Sequence, residues 1–142
     1  MITHLNYISN TIQHQHLATL YPDYAERSTR TKWLCYLPLY HAMAQTIYLS
    51  GGMMRQIPVY IMSKFDFVQV LENIQRFRIT DFAMVPPIAI MVAKHPVVKK
   101  YDLSSVESIG CGSAPLGSEA SRELERVWGG KINLKQGWGM TE

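Results

Sequence analysis

The chain has 142 residues, which is enough for one domain with a hydrophobic core. Hydrophobic residues make up 47% of the sequence and charged residues 18%, a composition that is typical of a folded globular protein and excludes a disordered chain. The formal net charge is +3, and the lysines and arginines are scattered rather than clustered, so we expect no nucleic-acid partner.

The sequence also lacks the features of a membrane or secreted protein. No window holds the roughly 18 apolar residues that a membrane-spanning helix needs. Residues 1–6 contain no basic segment leading into an apolar core, so they do not resemble a signal peptide. Cys35 and Cys111 form no CxxC pair, and each is predicted to be a small buried side chain in a reducing compartment. We therefore expect an intracellular protein, cytoplasmic or peroxisomal.

The first part of the chain predicts a helix, a loop, a strand and a second helix. Thr3 is a plausible N-cap for a helix with one apolar face, formed by Leu5, Ile8 and Ile12. Residues 25–30 are polar and predict a loop, and residues 33–37 predict a short buried strand that Pro38 stops. A helix of small residues is predicted after His41, and the glycines at positions 51 and 52 are expected to end it.

Strands and helices alternate through the rest of the chain. Further strands are predicted at residues 57–62, 81–85, 106–109 and 131–135. The helix between the first two of these places its apolar residues at helical spacing, at Val68, Leu71, Ile74 and Phe77. This alternation predicts an α/β fold, a mostly parallel sheet with flanking helices. In such sheets ligands bind where loops leave the carboxyl ends of strands, here residues 38–41, 110–115 and 136–142.

His41 is the candidate functional side chain of the first of these loops. A histidine can donate a hydrogen bond and change its charge near neutral pH, so it could orient a carboxylate or a developing acyl-phosphate. A helix-capping or packed histidine is the alternative. The five histidines of the chain form no HExxH or Cys/His grouping, so a zinc site is not expected.

The second and third loops have compositions that suit a nucleotide. Residues 110–117 are rich in glycine and small side chains, which let a flat adenine or acyl group approach the backbone, but they also suit a simple strand-to-helix connection. They do not form a Walker loop, because no Gly-Lys-Ser/Thr follows. In the third loop the Thr141 hydroxyl can hold a phosphate oxygen and the Glu142 carboxylate can hold Mg²⁺, although both could equally be a solvated terminus.

The order of five segments is more specific than any one of them. LPLYHA, IMSKFD, DFAMVPP, YDLSSVESIGCGSAPLG and QGWGMTE resemble the middle of acyl- and aryl-CoA ligases of the adenylate-forming (acyl-activating) superfamily, with 4-coumarate–CoA ligases the most similar. The resemblance implies that residues 1–142 are a partial AMP-binding (adenylation) domain, a fragment of the large N-terminal domain. It also implies a phosphate loop upstream and a C-terminal domain downstream, neither of which the sequence contains.

The resemblance implies a reaction in two steps. A small carboxylic acid attacks ATP, with Mg²⁺ assistance, to give acyl-AMP, and the thiol of coenzyme A then forms a thioester. His41 matches the histidine beside the substrate carboxylate, and Lys64 matches a lysine on the CoA side, with a surface lysine as the alternative. Thr141 matches a phosphate-contacting threonine and Glu142 the Mg²⁺-binding glutamate.

Further positions are carried by the same resemblance. The acyl-adenylate would lie against Gly112, Ser113, Ala114, Pro115, Gln136, Gly137, Trp138 and Gly139. Trp138 stands where the family usually has tyrosine, so it could stack on adenine without a hydroxyl. The acyl pocket would include Tyr40, Met43 and Cys111.

A partial domain has consequences for activity. We expect the 142 residues alone to have no ligase activity and to aggregate through surfaces that the rest of the domain would cover. A non-catalytic remnant that binds an adenylate-like ligand or a partner protein is the alternative function. The small side chains after His41 leave room for an aryl or medium-length acyl group, which we expect the acid to carry.

Overall fold

The structure, a computed structural model, describes residues 2–132 and 134–139. The chain divides into two compact units, residues 2–65 and residues 66–139, each with its own buried residues. Within the described residues, every helix is too short or too polar to cross a membrane.

The first unit begins with helix α1 (His4–Thr19), as predicted. The Thr3 side chain accepts a hydrogen bond from the Asn6 amide, and the Asn6 side chain accepts one from the Thr3 amide, which forms a capping box. The predicted apolar face exists, but all three of its side chains are exposed: Leu5, Ile8 and Ile12. The contacts of helix α1 with the rest of the unit include two polar ones: the Tyr7 hydroxyl donates to Gln45, and the Gln15 side chain donates to the Tyr24 hydroxyl.

The polar segment after α1 is partly helical, so the prediction of a loop over residues 25–30 was wrong. Helix α2 covers Tyr24–Ser28. The Tyr24 hydroxyl accepts a hydrogen bond of 2.8 Å from Gln15, and the guanidinium of Arg55 lies 5.8 Å from the centre of its ring. Glu26 and Arg30 form a 2.8 Å ion pair, and their separation of four residues is one that stabilises a helix. These contacts stabilise a helix in a segment whose polar composition predicted a loop.

Strands β1 (Trp33–Cys35) and β2 (Val59–Ile61) form a parallel pair in the first unit. Both predicted strands are confirmed, and each is shorter than predicted. Trp33 pairs with Val59 and Cys35 with Ile61, so the two strands end at the same edge.

The helix between β1 and β2 does not end at its glycines, which corrects the prediction. A π-helix over Ala44–Gly51 continues directly into α3 (Gly52–Met54). A Cβ atom added to Gly52 would lie 2.8 Å from Cγ2 of Val59, so glycine is present because the helix approaches β2 closely. The segment ends instead near Gln56, whose φ of 53° is left-handed.

The second unit contains a parallel sheet in the order β3-β4-β5, formed by β3 (Asp81–Met84), β4 (Ser108–Cys111) and β5 (Leu134–Gln136). Helices α5 (Pro86–Lys94) and α6 (Ser118–Arg126) connect successive strands and pack on each other, and a short 3₁₀ helix covers Pro96–Lys100. These βαβ units confirm the predicted α/β class. The predicted boundaries of β4 and β5 were wrong, because Gly110, Cys111 and Gln136 lie in strands rather than in loops.

Helix α4 (Phe67–Phe77) also belongs to the second unit. Its N-cap is Asp66, whose carboxylate accepts a 2.9 Å hydrogen bond from the Gln69 amide. The buried stripe is displaced from the predicted one: Val68 is 41% exposed, and the buried residues of the helix are Phe67, Val70, Leu71 and Ile74.

Candidate functional site

The carboxyl ends of β4 and β5 bring two of the predicted loops together. The strands are adjacent and parallel, with Cys111 opposite Gln136, so the chain leaves the same edge of the sheet after each strand. The Gly137 amide donates to the Cys111 carbonyl at 2.9 Å, and the Gly112 amide donates to the Met84 carbonyl at 3.2 Å. Residues 112–117, which we call the 112–117 loop, therefore start beside residues 137–139.

The backbones of the two loops approach each other at Gly112. A Cβ atom added there would lie 3.6 Å from the Gly137 carbonyl oxygen, which is ordinary contact distance, so the gap is about one methyl group wide. Ser113 has a φ of 76°, a left-handed conformation that costs a residue with a side chain about 1–2 kcal/mol. Ser113, Ala114 and Pro115 are exposed. The loop thus presents a narrow surface of small side chains to solvent.

The Gln136 side chain ties the two loops together. Its Oε1 accepts a hydrogen bond from the Leu116 amide at 3.1 Å, and its Nε2 donates to the Leu116 carbonyl at 3.2 Å. No local sequence pattern predicts this contact. Only the position of Gln136 at the end of a predicted strand could have indicated it.

Two other predicted residues of this unit have contrasting environments. Trp138 is 88% exposed, so its indole is accessible to a planar ligand. Cys111 is 4% exposed, and burial raises the pKa of its thiol. A buried protonated thiol is a packing group rather than a nucleophile, which agrees with the sequence analysis.

In the first unit, His41 follows β1 in a turn that its own amide closes by donating to the Pro38 carbonyl at 3.0 Å. Its Nδ1 accepts a 3.2 Å hydrogen bond from the Met43 amide. A nitrogen that accepts cannot carry the proton of a neutral imidazole, so the proton lies on Nε2. The helix-capping contact is therefore present, and it leaves an N–H donor on the other ring nitrogen of an exposed side chain.

Lys64 lies just beyond β2 and is exposed. Its neighbour Phe65 packs against Tyr36, with ring centres 5.6 Å apart, which holds the segments after β1 and β2 at one edge of the first unit. Tyr40 is 83% exposed and Met43 is half-buried.

The two residues proposed for phosphate and metal lie outside the described part of the chain, at Thr141 and Glu142. Among residues 2–132 and 134–139, no group of three or more His, Cys, Asp or Glu side chains is placed to hold a metal ion. Mg²⁺ commonly takes one or two carboxylates together with substrate phosphates, so a single glutamate fits this ion without such a group.

In both units, exposed loops follow the carboxyl ends of parallel strands, which is where α/β proteins bind small ligands. Fold and loops thus define an α/β protein whose strand-end loops are the candidate ligand contacts. The family of AMP-binding enzymes matches residues 1–142, and the chain belongs to this family. The predicted family membership is therefore confirmed.

The curated relatives described next are 4-coumarate–CoA ligases. A 4-coumarate–CoA ligase of Petroselinum crispum is 44% identical over 109 residues, which cover 77% of this chain and 20% of the relative. A probable 4-coumarate–CoA ligase of Dictyostelium discoideum is 38% identical over 141 residues, 99% of this chain and 25% of the relative. The chain thus spans about a fifth to a quarter of the length of these relatives.

Solved structures show the same fold. The N-terminal domain of FACL13 from Mycobacterium tuberculosis has a TM-score of 0.70 at 25% identity, covering 80% of this chain and 28% of that one. The O-succinylbenzoate coenzyme A synthetase of Bacillus subtilis, in complex with ATP and magnesium ion, has a TM-score of 0.76 at 21% identity and covers 99% of this chain and 26% of that one.

Proposed function

We propose that this chain is part of an AMP-forming acid–CoA ligase. In the proposed reaction a carboxylate oxygen attacks the α-phosphorus of ATP, giving acyl-AMP and releasing pyrophosphate. The thiol of coenzyme A then loses its proton and attacks the acyl carbon, giving a thioester and releasing AMP. The observation that carries the proposal is the family match over residues 1–142, together with exposed loops at the strand ends where a nucleotide would bind.

The second unit is proposed to hold the adenine and the acyl-adenylate. The 112–117 loop would offer its small exposed side chains to a planar group, and Trp138, with its exposed indole, would stack on the adenine. Gly112, at the point where the two loops start beside each other, is proposed to be part of the same surface. The other proposed contacts in this unit are Ser113, Ala114, Pro115, Gly137 and Gly139, and Gln136 is proposed to lie beside them at the end of β5.

The first unit is proposed to contribute to the acid and CoA sides. His41 would donate its Nε2–H to the substrate carboxylate or to the acyl-phosphate oxygen, while its Nδ1 keeps the contact with Met43. Lys64, exposed just after β2, would lie on the CoA side. Tyr40 and Met43 are the proposed acyl-pocket residues of this unit, and Cys111 is the one proposed in the second unit. The name of the relatives, 4-coumarate–CoA ligase, favours an aryl acid as the substrate.

Mg²⁺ is proposed as the ion of the reaction, held by Glu142, with Thr141 on a phosphate oxygen. Bound there, the ion would neutralise charge on the phosphates of ATP. The complex of the B. subtilis synthetase with ATP and magnesium ion supports this chemistry for the family.

The 142 residues are proposed to bind nucleotide without completing the ligation. They span about a fifth to a quarter of the relatives' length, and an adenylation needs charge stabilisation around the whole triphosphate. On the same ground we propose that residues 1–142 are a partial AMP-binding domain.

Nucleotide binding by the 142-residue chain is the test. Isothermal titration with AMP should show saturable binding, and GMP should bind more weakly because its ring edge differs. A coupled assay with ATP, coenzyme A and a panel of aryl and medium-chain acids should show no thioester. Absence of any AMP binding would contradict the proposed site, and thioester formation by the isolated chain would contradict the proposed lack of activity.

A further inference from the structure

Gln136 makes an unusual pair of contacts for a side chain at the end of a strand. A primary amide presents an acceptor and a donor side by side, as a peptide group does. Oε1 of Gln136 accepts from the Leu116 amide and Nε2 donates to the Leu116 carbonyl, at 3.1 and 3.2 Å. Both backbone groups of one loop residue are thus paired by one side chain. The contact joins the last paired residue of β5 to the loop that follows β4.

The remaining contacts of the 112–117 loop show what this pairing holds in place. At one end the Gly112 amide donates to the Met84 carbonyl at 3.2 Å. At the other end the Leu116 side chain is buried, and its backbone is bound by Gln136. The exposed residues between these anchors include Ser113 in its left-handed conformation. Such a conformation persists only where the surrounding structure enforces it.

We infer that Gln136 is a positioning residue: its amide fixes the backbone of the 112–117 loop and thereby the surface that the loop offers to the nucleotide. The loop geometry stands on the contacts alone, and the link to nucleotide rests on the proposed function. Gln136 therefore acts on the ligand through Leu116 and the loop.

Amide hydrogen exchange on the 142-residue chain tests the geometric part. Gln136→Met keeps the length of the side chain and removes both hydrogen bonds, and Gln136→Glu keeps an acceptor for the Leu116 amide but loses the donor. We expect the Leu116 amide to exchange about tenfold faster in Gln136→Met, as for the loss of one or two net hydrogen bonds, and by a smaller factor in Gln136→Glu. The amide of Ile109, inside β4, should keep its exchange rate, whereas a general loss of structure would accelerate it.

The matched control is Gln69→Met, the same substitution at an exposed position of α4 in the same unit. It should change neither the exchange rate of the Leu116 amide nor the nucleotide affinity. In Gln136→Met, the affinity for AMP, measured by titration, should fall about tenfold, by the same factor as the exchange rate of the Leu116 amide rises.

The outcomes separate the inference from the function on which it rests. Leu116 exchange within twofold of wild type in Gln136→Met overturns the inference, as does faster exchange with unchanged AMP affinity. If wild type binds no AMP, the proposed function fails, and the exchange data still decide whether Gln136 positions the loop. If Gln136→Met loses protection at Ile109 as well, Gln136→Glu decides: faster Leu116 exchange with Ile109 unchanged supports the inference, and no change at Leu116 overturns it.

Discussion

Gly52→Ala sets two opposing effects against each other inside one helix. Alanine is favoured over glycine in a helix interior by about 1 kcal/mol. The new Cβ would lie 2.8 Å from Cγ2 of Val59, well inside the roughly 3.5–4.0 Å at which carbon atoms pack best. Val59 is β-branched and paired in β2, so its side chain cannot easily turn away.

Overpacking of this kind costs about 1–3 kcal/mol, so we expect a net loss of about 1 kcal/mol in the free energy of unfolding. Urea unfolding of the 142-residue chain, followed by far-ultraviolet circular dichroism, would measure it. Gly139→Ala is the control: no atom of the described residues lies within 4 Å of the Cβ that it adds, and the change should stay within about 0.5 kcal/mol.

A double-mutant cycle identifies the cause. Val59→Ala removes the methyl group that the new Cβ would meet, so the second substitution should cost less in Gly52→Ala than in wild type, with a coupling energy of about 1 kcal/mol. If Gly52→Ala is instead more stable than wild type, the close approach of helix and strand is not what keeps a glycine at this position.

Three further predictions concern ligand stacking, an acid-sensitive carboxylate and an apolar surface. Trp138→Ala should leave the free energy of unfolding within about 0.5 kcal/mol, because the indole is exposed, but should weaken AMP binding by about 1–3 kcal/mol by titration; unchanged affinity would exclude stacking. Hydrogen bonds from Ser104, and next from Arg78, lower the pKa of Asp102 from 3.8 to about 2. Because the pKa of Asp102 is lower in the folded state, the ionised carboxylate stabilises the folded protein fully above a pH of about 4, and this contribution is lost as the pH falls towards about 2. Ser104→Ala removes one of the hydrogen bonds and should raise the pKa of Asp102, measured by carboxyl-carbon NMR. Replacing Leu5, Ile8 and Ile12 of α1 by glutamine should reduce self-association in sedimentation experiments, with each substitution changing stability by about 0.5 kcal/mol or less; undiminished association would place the contact elsewhere.

Much of the fold could be predicted because its local signals agree with its tertiary contacts. Thr3 caps α1 through a side chain three residues from its partner, and the apolar residues of Trp33–Cys35 form a buried strand. Predictions failed where a distant partner decides the structure. Cys111 lies in the sheet because it pairs with Met84 of β3 and with Gln136 of β5, and position 52 in the helix is a glycine because Val59 lies so close to it.

In the candidate site, too, local sequence predicts which segments are involved, and distant contacts decide their conformation. Residue types at strand ends indicate which segments can meet a ligand, since parallel strands direct their following loops to one edge. The conformation of those loops depends on contacts that no local pattern contains: Gln136 binds Leu116 across 20 positions of the chain, and Ser113 is left-handed although serine rarely adopts that conformation. Gln136 and Ser113 can therefore serve the conformation of the loop without contacting a ligand. The structure gives Gln136 a role in holding the backbone on which a nucleotide would lie, and a resemblance between motifs does not distinguish this role from direct contact.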